Sequence, residues 1–68
     1  MYDFEFDSWL LDQMERKALN QEQLAARAGI RSSNITYYLY YGKLPTFRTF
    51  LKILNALGMR MVLEDLSE

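Results

Sequence analysis

The sequence predicts an all-α fold, four short helices packed as one compact domain, with a short β-strand at the C-terminal end. Three observations predict it. Apolar residues recur at three- and four-residue spacing in four separate stretches, the period of a helix with one buried face. Between those stretches stand residues that start and stop helices: Asn20 with Gln23 three positions on, Gly29, Thr46 and Gly58. After Gly58 the pattern changes, because Met59 to Leu63 alternates apolar and polar except at Val62, as a strand does.

Taken in order, Met1 to Glu5 reads as an extended lead-in. The first helix is expected from about Asp7 to Lys17, with Phe6, Leu10 and Met14 every four residues and Trp9 widening the stripe. Its acids Asp7 and Asp12 lie early and Arg16 and Lys17 late, which suits the helix dipole. Leu19 is a core plug in the loop that follows. Asn20 caps the second helix, and Gln23 completes a capping-box pattern. Leu24, Ala25 and Ala28 form its apolar face, with small residues that let another helix approach closely. Gly29 ends it by adopting positive φ. Ile30 plugs the turn, and Ser32 and Ser33 offer capping hydroxyls to the third helix. That helix runs to about Tyr40 with Ile35 and Leu39 on one face. Helix, glycine-containing turn, helix is a helix-turn-helix unit. Gly42 to Pro45 is a loop and Thr46 caps the fourth helix, whose apolar face is expected to be Phe47, Phe50, Leu51, Leu54 and Leu57, with Ile53 at its edge.

Composition narrows the function. Half of the 68 residues are hydrophobic and a quarter charged, a globular balance, yet so short a chain has a marginal core. With no Cys and no His, neither a disulfide nor a zinc staple of the usual kind can reinforce that core, so a partner subunit is the common remaining way. The same absences, with no glycine-rich phosphate loop, leave no nucleophile–base pair of the usual types; no enzyme, cofactor or metal is expected. No apolar run is long enough to span a membrane and the start MYDFEFD is acidic, so the expectation is a cytoplasmic protein. The net charge is −1, but its distribution is uneven. Between Asn20 and Lys52 stand Arg27, Arg31, Lys43, Arg48 and Lys52 against Glu22 alone, a net +4 flanked by ends that carry −5. A basic middle between acidic ends fits one face turned to phosphate.

The candidate binding residues follow from the third helix. A helical wheel turns Ile35 and Leu39 inward with Tyr38 beside them, and Ser33, Tyr37 and Tyr40 outward, flanked by Asn34, Thr36 and Tyr41. Asn pairs with the adenine edge, Ser and Thr bond a base edge or a phosphate, and Tyr hydroxyls reach phosphate. The plain alternative is a solvated polar helix. Arg31 and Ser32, at the start of that helix, join the set. Gln21, first in the second helix, can hold a phosphate with its amide and backbone N–H. Lys43, in the loop beyond, is either a phosphate or base contact or an ordinary solvated lysine, and Thr46 is first of all a cap. The cluster Tyr37 to Tyr41 also admits a core role for Tyr38 and an oligomer-interface role for Tyr40 and Tyr41.

At these residues the sequence resembles the Cro/repressor-type (XRE-like) helix-turn-helix DNA-binding family. The resemblance is carried by Gln21-Glu22-Gln23-Leu24-Ala25, Ala28-Gly29-Ile30, Ile35, Pro45-Thr46, Phe50-Leu51-Lys52-Ile53 and Ala56-Leu57-Gly58, and runs from about Trp9 to Gly58. It implies a lambda-repressor-like domain that binds double-stranded DNA as a transcriptional regulator, a repressor, reading the major groove with its third helix as a homodimer. The tail TFLKILNALGMRMVLEDL further resembles antitoxins that partner kinase-type toxins, whose last strand pairs across a dimer. That likeness implies the alternative function, an antitoxin that binds a protein toxin and autoregulates its operon. Two departures stand out: Tyr41 occupies the usual glycine position, with Gly42 one later, and Tyr37 stands where the family often has Arg.

The whole chain, 1–68, is thus expected to be one helix-turn-helix domain with residues 59–64 as a dimerisation strand, the contacts being Met59, Arg60, Met61, Val62 and Leu63. The alternative is that Met59 to Leu63 packs back as irregular chain, with Met59 and Met61 as core filler and dimerisation through the fourth helix.

Overall fold

A computed structural model describes residues 4–67. Of the expected lead-in, residues 1–3 lie outside the described ones, while Glu5 is extended and precedes the first helix.

Four helices follow: α1 (Phe6–Arg16), α2 (Gln21–Ala28), α3 (Ser32–Tyr40) and α4 (Phe47–Ala56). In α1 the four-residue repeat of Phe6, Leu10 and Met14 is buried as one stripe, and Arg16 pairs with Asp12 at 2.8 Å on the solvent side. Beyond the C-cap Lys17, Ala18 holds a left-handed φ of 56°. There the Leu19 N–H donates to the Met14 carbonyl at 2.9 Å and the Ala18 N–H to that of Glu15 at 3.2 Å. This double bond pattern turns the chain sharply and drives Leu19 into the core.

α2 opens on the expected reciprocal cap. The Gln23 N–H donates to Asn20 Oδ1 at 2.8 Å, and the Asn20 N–H donates to Gln23 Oε1 at 2.9 Å. Leu24, Ala25 and Ala28 are buried, and Gly29 closes the helix at φ 71° so that the Ile30 N–H returns to the Ala25 carbonyl. The start of α3 differs from expectation. Its cap position is Arg31, without a side-chain bond, and Ser32 and Ser33 lie inside the first turn. The Asn34 N–H instead donates to the Arg31 carbonyl at 3.0 Å, so the serine hydroxyls are left to the surface.

α4 is capped by Thr46, whose Oγ1 accepts from the Thr49 N–H at 3.2 Å. Its buried face differs from the expected one at Phe47, Leu51 and Ile53. Ile53 is fully buried, with Leu54 and Leu57 beside it and Phe50 half-buried, whereas Phe47 and Leu51 are 63% and 39% exposed. The cause is the choice of neighbour. α4 packs chiefly on α2, which turns Ile53 inward, and Phe50 meets the aromatic residues of α1.

Phe6 joins the pieces. Its ring meets Tyr38 of α3 edge-on at 5.9 Å and Phe50 of α4 at 5.8 Å, with Trp9 alongside at 5.8 Å. Aromatic rings at such distances add to their area burial. Among the described residues, every buried side chain is apolar or, at Tyr38, an aromatic phenol. After Gly58 the Met59 N–H donates to the Leu54 carbonyl at 2.8 Å, and Met59 rests half-buried on the core. From there to Ser67 the single chain has no regular secondary structure, and Arg60 to Ser67 are exposed. The expected strand over 59–64 is not formed within one chain because no second strand exists among the described residues to pair with it. The Cα radius of gyration is 12.7 Å, above the ~11 Å of a fully compact chain of this length, because the tail leaves the body.

Candidate nucleic-acid interface

The turn between α2 and α3 sets the two helices against each other through Ala25, Ala28 and Ile35, and leaves two surfaces side by side. One is the start of α2. The first N–H groups of any helix have no carbonyl four residues back, so those of Gln21 and Glu22 point outward with the positive end of the helix dipole. They open on a shallow cleft of about 440 Å³ lined by Asn20, Gln21, Glu22 and Ser32. Such a cleft suits a phosphate oxygen, with the Ser32 hydroxyl as a further donor and the Glu22 carboxylate as the one opposing charge.

The other surface is the outer face of α3. Ser33, Tyr37 and Tyr40 are exposed along it, as the wheel predicts. Asn34 is half-buried on one shoulder. Thr36 is half-buried on the other, where its hydroxyl donates to Gln21 Oε1 at 2.5 Å. That bond ties the start of α2 to the middle of α3. It holds the Gln21 side chain against α3, with the amide oxygen as the acceptor.

At the far end of α3, three residues brace one another. Tyr37 and Tyr41 meet edge-on at 5.9 Å, and Lys43 Nζ lies 5.5 Å from the centre of the Tyr37 ring. Gly42 takes φ 69°, and this bend returns the Lys43 N–H to the Tyr37 carbonyl at 3.2 Å. The glycine one position later than usual thus carries the loop back onto the helix. Tyr41 as a brace for Tyr37 was not singled out by sequence reasoning; the available signal was their four-residue spacing.

The outer face of α3 carries no charged side chain, and Arg31 and Lys43 flank the helix at its two ends. Among the described residues the one ion pair is Arg16–Asp12, so Arg27, Arg31, Lys43, Arg48 and Lys52 have no acidic partner. Arg31 is exposed at the junction of the two surfaces. The structure therefore brings Gln21, Ser32 and Thr36 together, sets Ser33, Tyr37 and Tyr40 in a row, and groups Lys43 with Tyr37. It keeps Arg60, Met61, Val62 and Leu63 apart, on the exposed tail, while Met59 rests half-buried on the core. No group of acidic residues capable of holding a metal ion occurs among the described residues, and no helix is long and apolar enough to cross a membrane.

A helix-turn-helix family model matches residues 10–63, most of the chain. No curated protein and no solved structure matches it.

Proposed function

The chain belongs to the helix-turn-helix family of DNA-binding transcription regulators, and from that footing we propose that it is a sequence-specific repressor that binds double-stranded DNA as a homodimer. The observation that carries this reading is the outer face of α3. It offers uncharged hydrogen-bonding groups, Ser33, Tyr37 and Tyr40 with Asn34 beside them, between groups suited to phosphate. A helix of this width fits the major groove, where polar side chains distinguish all four base pairs.

In this reading Ser33, Asn34 and Tyr37 contact base edges. Gln21, Arg31, Ser32 and Lys43 hold phosphates, Thr36 fixes Gln21, and Tyr40 reaches the backbone with its hydroxyl. One subunit covers only a few base pairs, and a dimer places two α3 helices in half-sites ~34 Å apart. The dimer forms through Met59 to Leu63, as antiparallel strands from two subunits that satisfy each other's backbone groups. Arg60 then pairs with Glu64 across the strands. Repression follows from occupancy of the operator in the cytoplasm, which requires no further activity.

The test is binding to the DNA upstream of its own gene against random duplex, titrated with salt. The expected result is a clear preference for one upstream site and a shallow salt dependence, equivalent to ~3–5 phosphates neutralised per subunit. Equal affinity for all duplexes at low salt would falsify the sequence-specific reading.

A further inference from the structure

α4 carries an outward face for which the single chain has no use. Phe47 and Leu51, one turn apart, form an apolar ridge that continues into a groove of about 400 Å³ lined by Phe4, Phe6, Leu44, Pro45, Phe47 and Phe50. Arg48 and Lys52, also one turn apart, run beside the ridge without an acidic partner among the described residues. An apolar strip with a cationic border calls for a segment that is apolar and then acidic.

The chain itself contains such a segment. In an extended backbone successive side chains alternate, so Met61, Leu63 and Asp65 share one side, and Arg60, Val62 and Glu64 the other. The first side is apolar and ends in a carboxylate. Leu63 is 86% exposed, and Asp65 carries its charge at the surface, with Oδ1 accepting from the Ser67 N–H and hydroxyl. We infer that the α4 ridge is the seat for the C-terminal segment of a second copy of this chain, with Leu63 on Phe47 and Leu51, and Asp65 between Arg48 and Lys52. The inference rests on the homodimer reading and adds the surface that receives the tail.

Geometry favours a second copy over the chain's own tail. The turn at Gly58, closed by the Met59 N–H on the Leu54 carbonyl, sends residues 60–67 away from the body, and the molecule measures 43 Å along one axis against 22–23 Å along the others. A segment already held off its own domain reaches a neighbour without first detaching. Lengths agree as well: α4 is about 15 Å long, and residues 61–66 in extended form span about 20 Å. In a two-fold dimer every such contact is made twice. The acidic end of the tail suits this seat and opposes any approach to DNA phosphate.

The chain has no cysteine, so an introduced pair reports the contact directly. Leu51→Cys and Leu63→Cys are made in separate preparations, both at exposed positions that leave folding intact, and then mixed under mild oxidation. A mixed disulfide between them is expected, forming faster than one between Leu63→Cys and the exposed control Ala26→Cys. In sedimentation, Lys52→Glu should weaken the dimer about tenfold, since the lost contact occurs twice, and adding Asp65→Lys should restore it. A wild-type protein that sediments as a monomer at micromolar concentration overturns the homodimer reading and this inference together. A wild-type dimer indifferent to Lys52→Glu, with no mixed disulfide, leaves the homodimer standing and removes the seat. A disulfide formed only within single chains of the double-cysteine variant shows the tail folding back, and also overturns it.

Discussion

Thr36 Oγ1 donates to Gln21 Oε1 at 2.5 Å, joining two residues 15 positions apart at the point where α2 begins and α3 is half complete. Each residue is only half-buried, so the bond lies at the edge of the proposed DNA surface and not in the core. It holds the Gln21 side chain against α3 at the start of α2.

Thr36→Val preserves shape and removes the hydroxyl. Stability is expected to fall by about 1 kcal/mol, the usual net worth of such a bond. Operator affinity should fall several-fold because Gln21 is no longer held. Urea denaturation and a binding titration check the two effects, and the double variant with Gln21→Ala should lose less than the sum of the singles. Strict additivity would show that the two side chains act independently.

Replacement of Ser33, Asn34 or Tyr37 by Ala should relax sequence preference, each lost base contact costing about 1–3 kcal/mol of discrimination. Lys43→Ala should weaken operator and random duplex alike. Because Lys43 Nζ stands over the Tyr37 ring, the Tyr37 and Lys43 substitutions should be coupled. Competition binding against base-substituted operators separates the outcomes; a triple α3 variant that selects the same site would exclude this face as the reader.

Ala18 is the one described residue other than glycine with positive φ. A left-handed conformation costs an L-residue roughly 1–2 kcal/mol, partly offset on replacement by the greater freedom of glycine in the unfolded chain. Ala18→Gly should therefore stabilise the fold by about 0.5–1 kcal/mol and raise Tm by about 2–8 °C. Calorimetry decides it, and a lower Tm would contradict the assigned turn.

Burial holds the Tyr38 phenol above its ordinary value of 10.0. The unfolded chain then ionises at lower pH than the folded one, so this residue's contribution is constant below about pH 10 and is lost as pH rises through the folded value. Wild-type stability should decline on the alkaline side, and Tyr38→Phe should reduce the slope. Denaturation midpoints across alkaline pH test it; identical slopes in the two proteins would assign the decline elsewhere.

Several features were readable from the residues because their causes lie within a few positions. The reciprocal cap of Asn20 and Gln23, the stop at Gly29, the cap at Thr46 and the inward turn of Ile35, Tyr38 and Leu39 all depend on bonds or spacings inside one helix or one turn. The exposure of Ser33, Tyr37 and Tyr40 follows from the same periodicity, so the row of candidate readers was legible too. Family membership rested on the joint spacing of such local signals.

Other features had to wait for the tertiary structure. Both Phe47 and Ile53 suit the buried side of an amphipathic α4, and only the packing of α4 on α2 turned Ile53 inward and left Phe47 at the surface. The bond of Thr36 to Gln21 was not legible, because only the packing of α2 on α3 brings the two side chains within bonding distance. Ala18 gave no local sign of a left-handed turn, since alanine ordinarily continues a helix; the burial of Leu19 imposes it. In each case the deciding partner lies on another element, and one-dimensional periodicity carries no information about which element that will be.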